Sequence, residues 1–171
     1  MLNRFISAIE RLIDFSGRAV SWLTLLMVLV TLLVVLLRYL FGQGAILLQE
    51  SVIYMHGLVF MLGIPYALHH NNHVRVDVFA ARLGERGRNW VELIGHLLFL
   101  VPVSITLFLY SLPYVSASWR VFEGSAEVGG IPGIFLLKTL IPLMAVLLLL
   151  QGIAEIIRLI QELRSPTRQD S

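Results

Sequence analysis

The stretch VSWLTLLMVLVTLLVVLL, residues 20–37, decides the fold. It carries no charge, and an apolar run of about 18 residues or more without charges reads as a membrane-crossing helix. Extended to its flanks, this span covers 16–41, and three further runs of the same character follow at 47–69, 90–114 and 134–157. Each exceeds the roughly 20 residues a helix needs to cross the hydrocarbon core. The composition agrees: 57% of residues are hydrophobic and only 14% charged, against about 25% charged in soluble domains. Mean hydropathy is +0.82. One soluble core could not hide this much apolar surface, so the bilayer is the solvent. The chain reads as an all-α integral membrane protein with one membrane domain over 1–171 and four transmembrane helices.

The connecting segments have their own signals. Leu2, Phe5, Ile6, Ile9, Leu12 and Ile13 form a helical stripe, with Arg4, Glu10, Arg11 and Asp14 mostly off it. Two readings of 1–15 stand: an amphipathic helix lying in the membrane interface, which is the one adopted, or the extension of the first span beyond the bilayer. The first span starts too far from Met1 for a cleavable signal and no small-x-small site follows it, so an uncleaved signal anchor is expected. Gly42-Gln43-Gly44 makes a tight first turn, and Gly129, Gly130, Pro132 and Gly133 mark a loop before the fourth span. The connection at 70–89 alternates at first like a strand, but an unpaired strand at a membrane leaves its backbone unsatisfied. An extended entry followed by a short interfacial helix is expected there, with Arg side chains reaching headgroups. A tail over 158–171 is broken by Pro166.

Charge sets the orientation. Twelve of the 13 cations are Arg and they lie beside the spans, which is a topology signal and not a nucleic-acid footprint. Arg4, Arg11 and Arg18, then Arg75, Arg82, Arg86 and Arg88, then Arg158, Arg164 and Arg168 fall on one side of the membrane. Arg38, Arg120 and Lys138 fall on the other. The richer side stays in the cytoplasm, so both termini are expected inside.

Polar residues at membrane depth are costly and therefore candidate sites. Arg38 closes span 1 and Glu50 opens span 2 across the tight turn. An ion pair between them is expected to lock the first hairpin, in preference to separate solvation of each. Lys138 has Glu123, Glu127 or lipid phosphate within reach, and Glu92 has Arg86 or Arg88. Gly57 and Gly63 allow close helix approach. His73, Arg75, Asp77, Arg82, Arg86 and Arg88 read as anchors at the inner face. Spans 3 and 4 contain Pro102 and Pro142, either of which can kink its helix.

Several chemistries are excluded. The absence of cysteine removes disulfides, thiolate metal sites and thioether-bound haem. A haem held by His56 and His96 fails on depth, because counting residues from each span's start separates them by roughly 12 Å along the normal. His69, His70 and His73 offer imidazoles near the inner surface, with carboxylate support by proximity in sequence only from Asp77. Contact with lipid or a partner is the favoured reading, so no cofactor and no metal is expected. No phosphate loop, His-Glu-x-x-His helix or nucleophile elbow is present, and the centres of spans 1 and 4 are Leu, Val and Met. An enzyme is not expected. A stand-alone four-helix exporter would need an acid deep in the bundle, and span 1 has none.

The order Arg38, Glu50, Gly63 and then His73-Val74-Arg75-Val76-Asp77, on a four-span plan, resembles the small membrane subunit (DctQ-like) of the tripartite ATP-independent periplasmic (TRAP) transporters. The resemblance covers nearly the whole chain, and departs from the family at Gln49, where a second acid is common. It implies a helper subunit bracing a large elevator-type membrane subunit (DctM-like) that holds the substrate and sodium sites. It also implies a periplasmic solute-binding protein, with Glu123 and Glu127 as candidates for docking it. The segment 123–152 looks like the branch associated with 2-oxo acids, mannitol or chloroaromatic compounds, so uptake of an organic acid is implied. Lipids are expected neighbours; nucleic acid is not.

Overall fold

The computed structural model describes residues 2–70 and 84–164, with the side chains of 2, 3, 5 and 85 excepted. Of the inner-face anchors expected from the sequence, His73, Arg75, Asp77 and Arg82 lie outside the described residues. Helix α1 spans Leu2–Phe41 and α2 spans Ile46–His69. Helix α3 (Gly84–Gly95) runs through a π-helical turn (His96–Leu100) into α4 (Val101–Arg120), and α5 spans Ile134–Arg164. Among the described residues four stretches are long and apolar enough to cross a membrane: Ile6–Phe41, Ile46–His69, Arg86–Arg120 and Ile134–Arg164. The protein is a multi-pass membrane protein. An even number of crossings leaves one end of the bundle with the Gly42–Ala45 turn and the 121–133 loop, here the hairpin end. The other end carries both termini and is here the terminal end.

Helix α1 is one uninterrupted rod: Leu and Met favour helix, no proline interrupts it, and a membrane-spanning segment must satisfy its own backbone hydrogen bonds. Residues 1–15 therefore do not form a separate interfacial helix; their described part extends the first span. Part of the amphipathic stripe has a protein partner, while Leu12 is 52% exposed. Ile6, Ile9, Ile13 and Val20 are buried, because α1 packs along α2 and touches α5. Within hydrocarbon such contacts are held by van der Waals packing and not by exclusion of water. The close approach is possible at Gly17, where a Cβ would lie 2.0 Å from Tyr66 Cδ2. The rod ends at Gly42, whose φ of +65° an L side chain rarely adopts. There the Gly42 and Gln43 N–H groups reach the carbonyls of Arg38 and Leu37, each at 3.1 Å, closing the helix end.

The extended entry and short interfacial helix expected at 70–89 fall mostly outside the described residues; helix α3, from Gly84, forms the first turns of the third crossing itself. The π-helical turn explains how Pro102 is accommodated. Proline lacks an N–H and its ring collides with the carbonyl four residues back. A wider turn just before it shifts the ladder, with Val101 N–H bonding to His96 O, and Ser104 Oγ donates to Leu100 O at 2.7 Å.

Helix α5 is the axis of the bundle. Half of its most apolar window is buried within the protein, against 6% for α1. Met144, Ala145, Leu147, Leu148 and Ala154 face neighbours, and α2, α3 and α4 all pack on it. Gly57 lets α2 approach, since a Cβ there would lie 2.7 Å from Leu137 Cδ1. Gly63, expected to do the same, has nothing within 4 Å of a built Cβ and permits no close approach within this chain. Outward surfaces are strongly apolar, as for Trp22 (73% exposed), Leu29 (54%) and Leu40 (71%); hydrocarbon is their natural surrounding.

Candidate functional site

At the hairpin end a buried acid organises a loop. Glu50, in the first turns of α2, is only 9% exposed. It does not pair with Arg38. Its carboxylate accepts from Ser125 Oγ and, at 2.5 Å, from the Ile131 N–H. Arg38 is exposed, and no ion pair joins it to Glu50 among the described residues. The reason is geometric: Arg38 sits on the outer surface of α1, whereas Glu50 faces inward under the 121–133 loop. Gly130 makes the approach possible, because a Cβ there would lie 2.6 Å from Glu50 Oε2. Tyr54, one helical turn further along α2, donates its hydroxyl to Ile131 O at 3.4 Å.

The same loop is held from its other side. Lys138 Nζ lies 2.5 Å from Glu123 Oε2 and 4.2 Å from the Tyr114 ring centroid. Of the three partners considered for Lys138, the structure selects Glu123. The Lys138 ammonium holds the Glu123 carboxyl below its ordinary range. Trp119 donates to Thr139 Oγ1 at 2.9 Å and meets the Phe135 ring edge-on at 4.7 Å. Phe122 packs on Phe135 as well, at 5.7 Å. Glu123 is thus engaged within the chain, while Glu127 stays exposed beside Val128 (91% exposed).

At the terminal end a polar network joins three helices. Asp14 of α1 lies 2.8 Å from His70 Nε2 and 3.7 Å from His69 Nε2. Gln151 of α5 is fully buried, and its amide nitrogen lies 3.1 Å from His69 Nδ1 and 2.9 Å from Glu155 Oε1. Arg158 reaches Glu155 at 3.4 Å and pairs with Glu10 of α1. Nearby, Arg88 lies 3.9 Å from Glu92, and Asn89 donates to Glu162 at 3.0 Å. Arg86 is exposed. Sequence reasoning located His69 and His70 but not their acid, because Asp14 is 55 residues or more away in the chain. It likewise missed Ser125 and Ile131 as the partners of Glu50. The clue available was a lone acid at a helix start opposite a glycine-rich loop.

His56 and His96 are on different helices and neither meets the other. His56 stacks on Phe60 at 6.3 Å. His96 Nδ1 bonds to Glu92 O at 2.7 Å, and its Nε2 is buried without a hydrogen-bond partner among the described residues. It borders a groove of about 590 Å³ with Leu68, Phe99, Leu100, Val103 and Leu148, which is apolar in lining.

These features define a class: a polytopic helical membrane protein whose buried polar side chains tie helix to helix at the two ends. The family described as "Tripartite ATP-independent periplasmic transporters, DctQ component" matches residues 27–162, most of the chain, from within the first crossing into the last turn of the fourth. The chain belongs to that family. It is the small membrane subunit of a TRAP transporter, a transporter component and not a member of an enzyme family. No curated protein and no solved structure matches the chain. A DctQ component works with a large DctM subunit and a binding protein.

Proposed function

We propose that this chain braces the large DctM-like subunit of a sodium-coupled elevator-type transporter in the bacterial inner membrane. The solute is an organic acid, with 2-oxo acids the first class to try, delivered by a periplasmic binding protein. Both termini lie in the cytoplasm, as the excess of Arg at the terminal end supports. Glu127 and the apolar tip at Val128 form the surface offered to the binding protein. Glu123 acts there through Lys138, by fixing the loop.

One observation carries this reading. The acids Glu50, Glu10, Asp14 and Glu155 are held by hydrogen bonds or ion pairs at the two ends of the bundle, while α1 presents Trp22, Leu29 and Leu40 outward along its length. A scaffold needs a rigid bundle with wide apolar faces; a carrier of anions needs convergent donors near the midplane. The test is isolation of the tagged chain in mild detergent from native membranes. The expected result is a stoichiometric larger membrane protein in the eluate. Recovery only as a homo-oligomer contradicts the reading. Single cysteines at Gln43 and Val128 should label from the periplasm, and one at Arg86 should not.

A further inference from the structure

Asp14, His69 and His70 converge at the terminal end, and each offers one ligand atom, all within 4.8 Å of one another. We propose that these three side chains bind a first-row divalent cation of the zinc type, clamping α1 to the C-terminal end of α2. The site is independent of the transport reading above.

The ligand set suits such an ion. Two imidazoles and one carboxylate select borderline metals over Mg²⁺ or Ca²⁺, which prefer oxygen ligands. With metal–ligand distances near 2.0–2.1 Å in a tetrahedral site, ligand atoms stand about 3.3 Å apart. The observed separations from Asp14 Oδ1 are 2.8 Å to His70 and 3.7 Å to His69. They bracket that value, and no pair of ligand atoms in the set is more than 4.8 Å apart, so modest side-chain movements seat the ion. Asp14 and His70 are partly exposed, with side chains 31% and 40% accessible. Water therefore reaches the remaining coordination position.

A second observation points the same way. A metal-bound histidine donates its other ring N–H to an acceptor that fixes its tautomer. Gln151 stands at 3.1 Å from His69 Nδ1 and is fully buried, and its Oε1 has no hydrogen-bond partner. With the amide nitrogen facing His69, the ring keeps its proton on Nε2. Ligation at Nε2 moves that proton to Nδ1. A half-turn of the Gln151 amide then supplies the unpartnered oxygen as its acceptor; the bond from the same amide nitrogen to Glu155 Oε1 breaks, and the Glu155 carboxylate turns to its other partner, Arg158. At His70 the proton moves in the same sense. Each shift is a change of tautomer, so the rearrangement releases no proton.

The full chain, purified in detergent with its affinity tag removed and stripped with a chelator, is titrated with Zn²⁺ by calorimetry and followed by thermal unfolding. One Zn²⁺ per chain is expected, with no uptake of Mg²⁺ and a melting midpoint raised by roughly 5 °C at saturation. Asp14→Asn and His70→Ala should each weaken binding by at least about tenfold. Gln151→Leu, which keeps all three ligands, should weaken it about tenfold through the ring it orients. His56→Ala should bind as the wild type does. No saturable uptake by the wild-type chain overturns the proposal. So does uptake that is unchanged in a helical, correctly melting His70→Ala variant.

Discussion

Replacing Glu50 with Ala should unlatch the 121–133 loop while leaving the helices in place. The carboxylate accepts the Ser125 hydroxyl and the Ile131 N–H in a site only 9% exposed. Hydrogen bonds to a charged group contribute about 1.5–3 kcal/mol each, and a buried donor left unpaired costs about 1–3 kcal/mol. The loop can relax toward water, which recovers part of this. A net loss on the order of 3 kcal/mol follows, concentrated in the opening of the loop. Since about 1.4 kcal/mol is tenfold, amide hydrogen exchange at Ile131 should accelerate on the order of 100-fold. Glu50→Gln keeps one carbonyl oxygen for Ile131 and a neutral partner for Ser125, so its loss is about 1 kcal/mol and the acceleration about fivefold. The assay is hydrogen–deuterium exchange of peptides covering 121–133, with α1 peptides as the internal reference. Unchanged exchange in Glu50→Ala, or equal acceleration in α1, would refute the idea that this acid holds the loop.

Three other perturbations have definite outcomes. Gly17→Leu drives a side chain into the Tyr66 ring; overpacking costs about 1–3 kcal/mol, and the melting midpoint should fall by several degrees while Gly63→Leu, in open space, leaves it unchanged. Glu123 is held below its ordinary carboxyl range by Lys138, so its contribution is complete above that ordinary range and disappears as pH falls through the lowered value. Thermal unfolding from neutral to acidic pH should show this loss in the wild type and a flattened dependence in Lys138→Met. Arg158→Leu leaves Glu10 and Glu155 facing each other beside buried Gln151. It should destabilise by about 1–3 kcal/mol in thermal melts, and Glu10→Gln should recover part of that in the double variant.

The spans were legible because a bilayer demands long apolar helices, a one-dimensional signal that residues 20–37 carry alone. The same signal could not say what the stripe Ile6, Ile9 and Ile13 faces. An interface and a neighbouring helix both want an apolar stripe, and only packing against α2 and α5 decides between them. Pairings between distant elements were out of reach for the same reason. Arg38 and Glu50 are neighbours across a turn and were matched on that ground. Glu50 instead faces inward to a loop 75 residues away in the chain, at Ser125. Lys138 and Glu123, only 15 residues apart, were within the range that sequence proximity covers. The π-helical turn was signalled by Pro102, though the proline alone announces a disturbance and not its form.

Uptake of labelled organic acids, 2-oxo acids first, into proteoliposomes under a sodium gradient tests the central claim most directly. The prediction is transport only when this chain, its large membrane subunit and the binding protein are all present, and none with this chain alone. Solute accumulation by this chain by itself, or full transport by the other two components without it, would contradict the account.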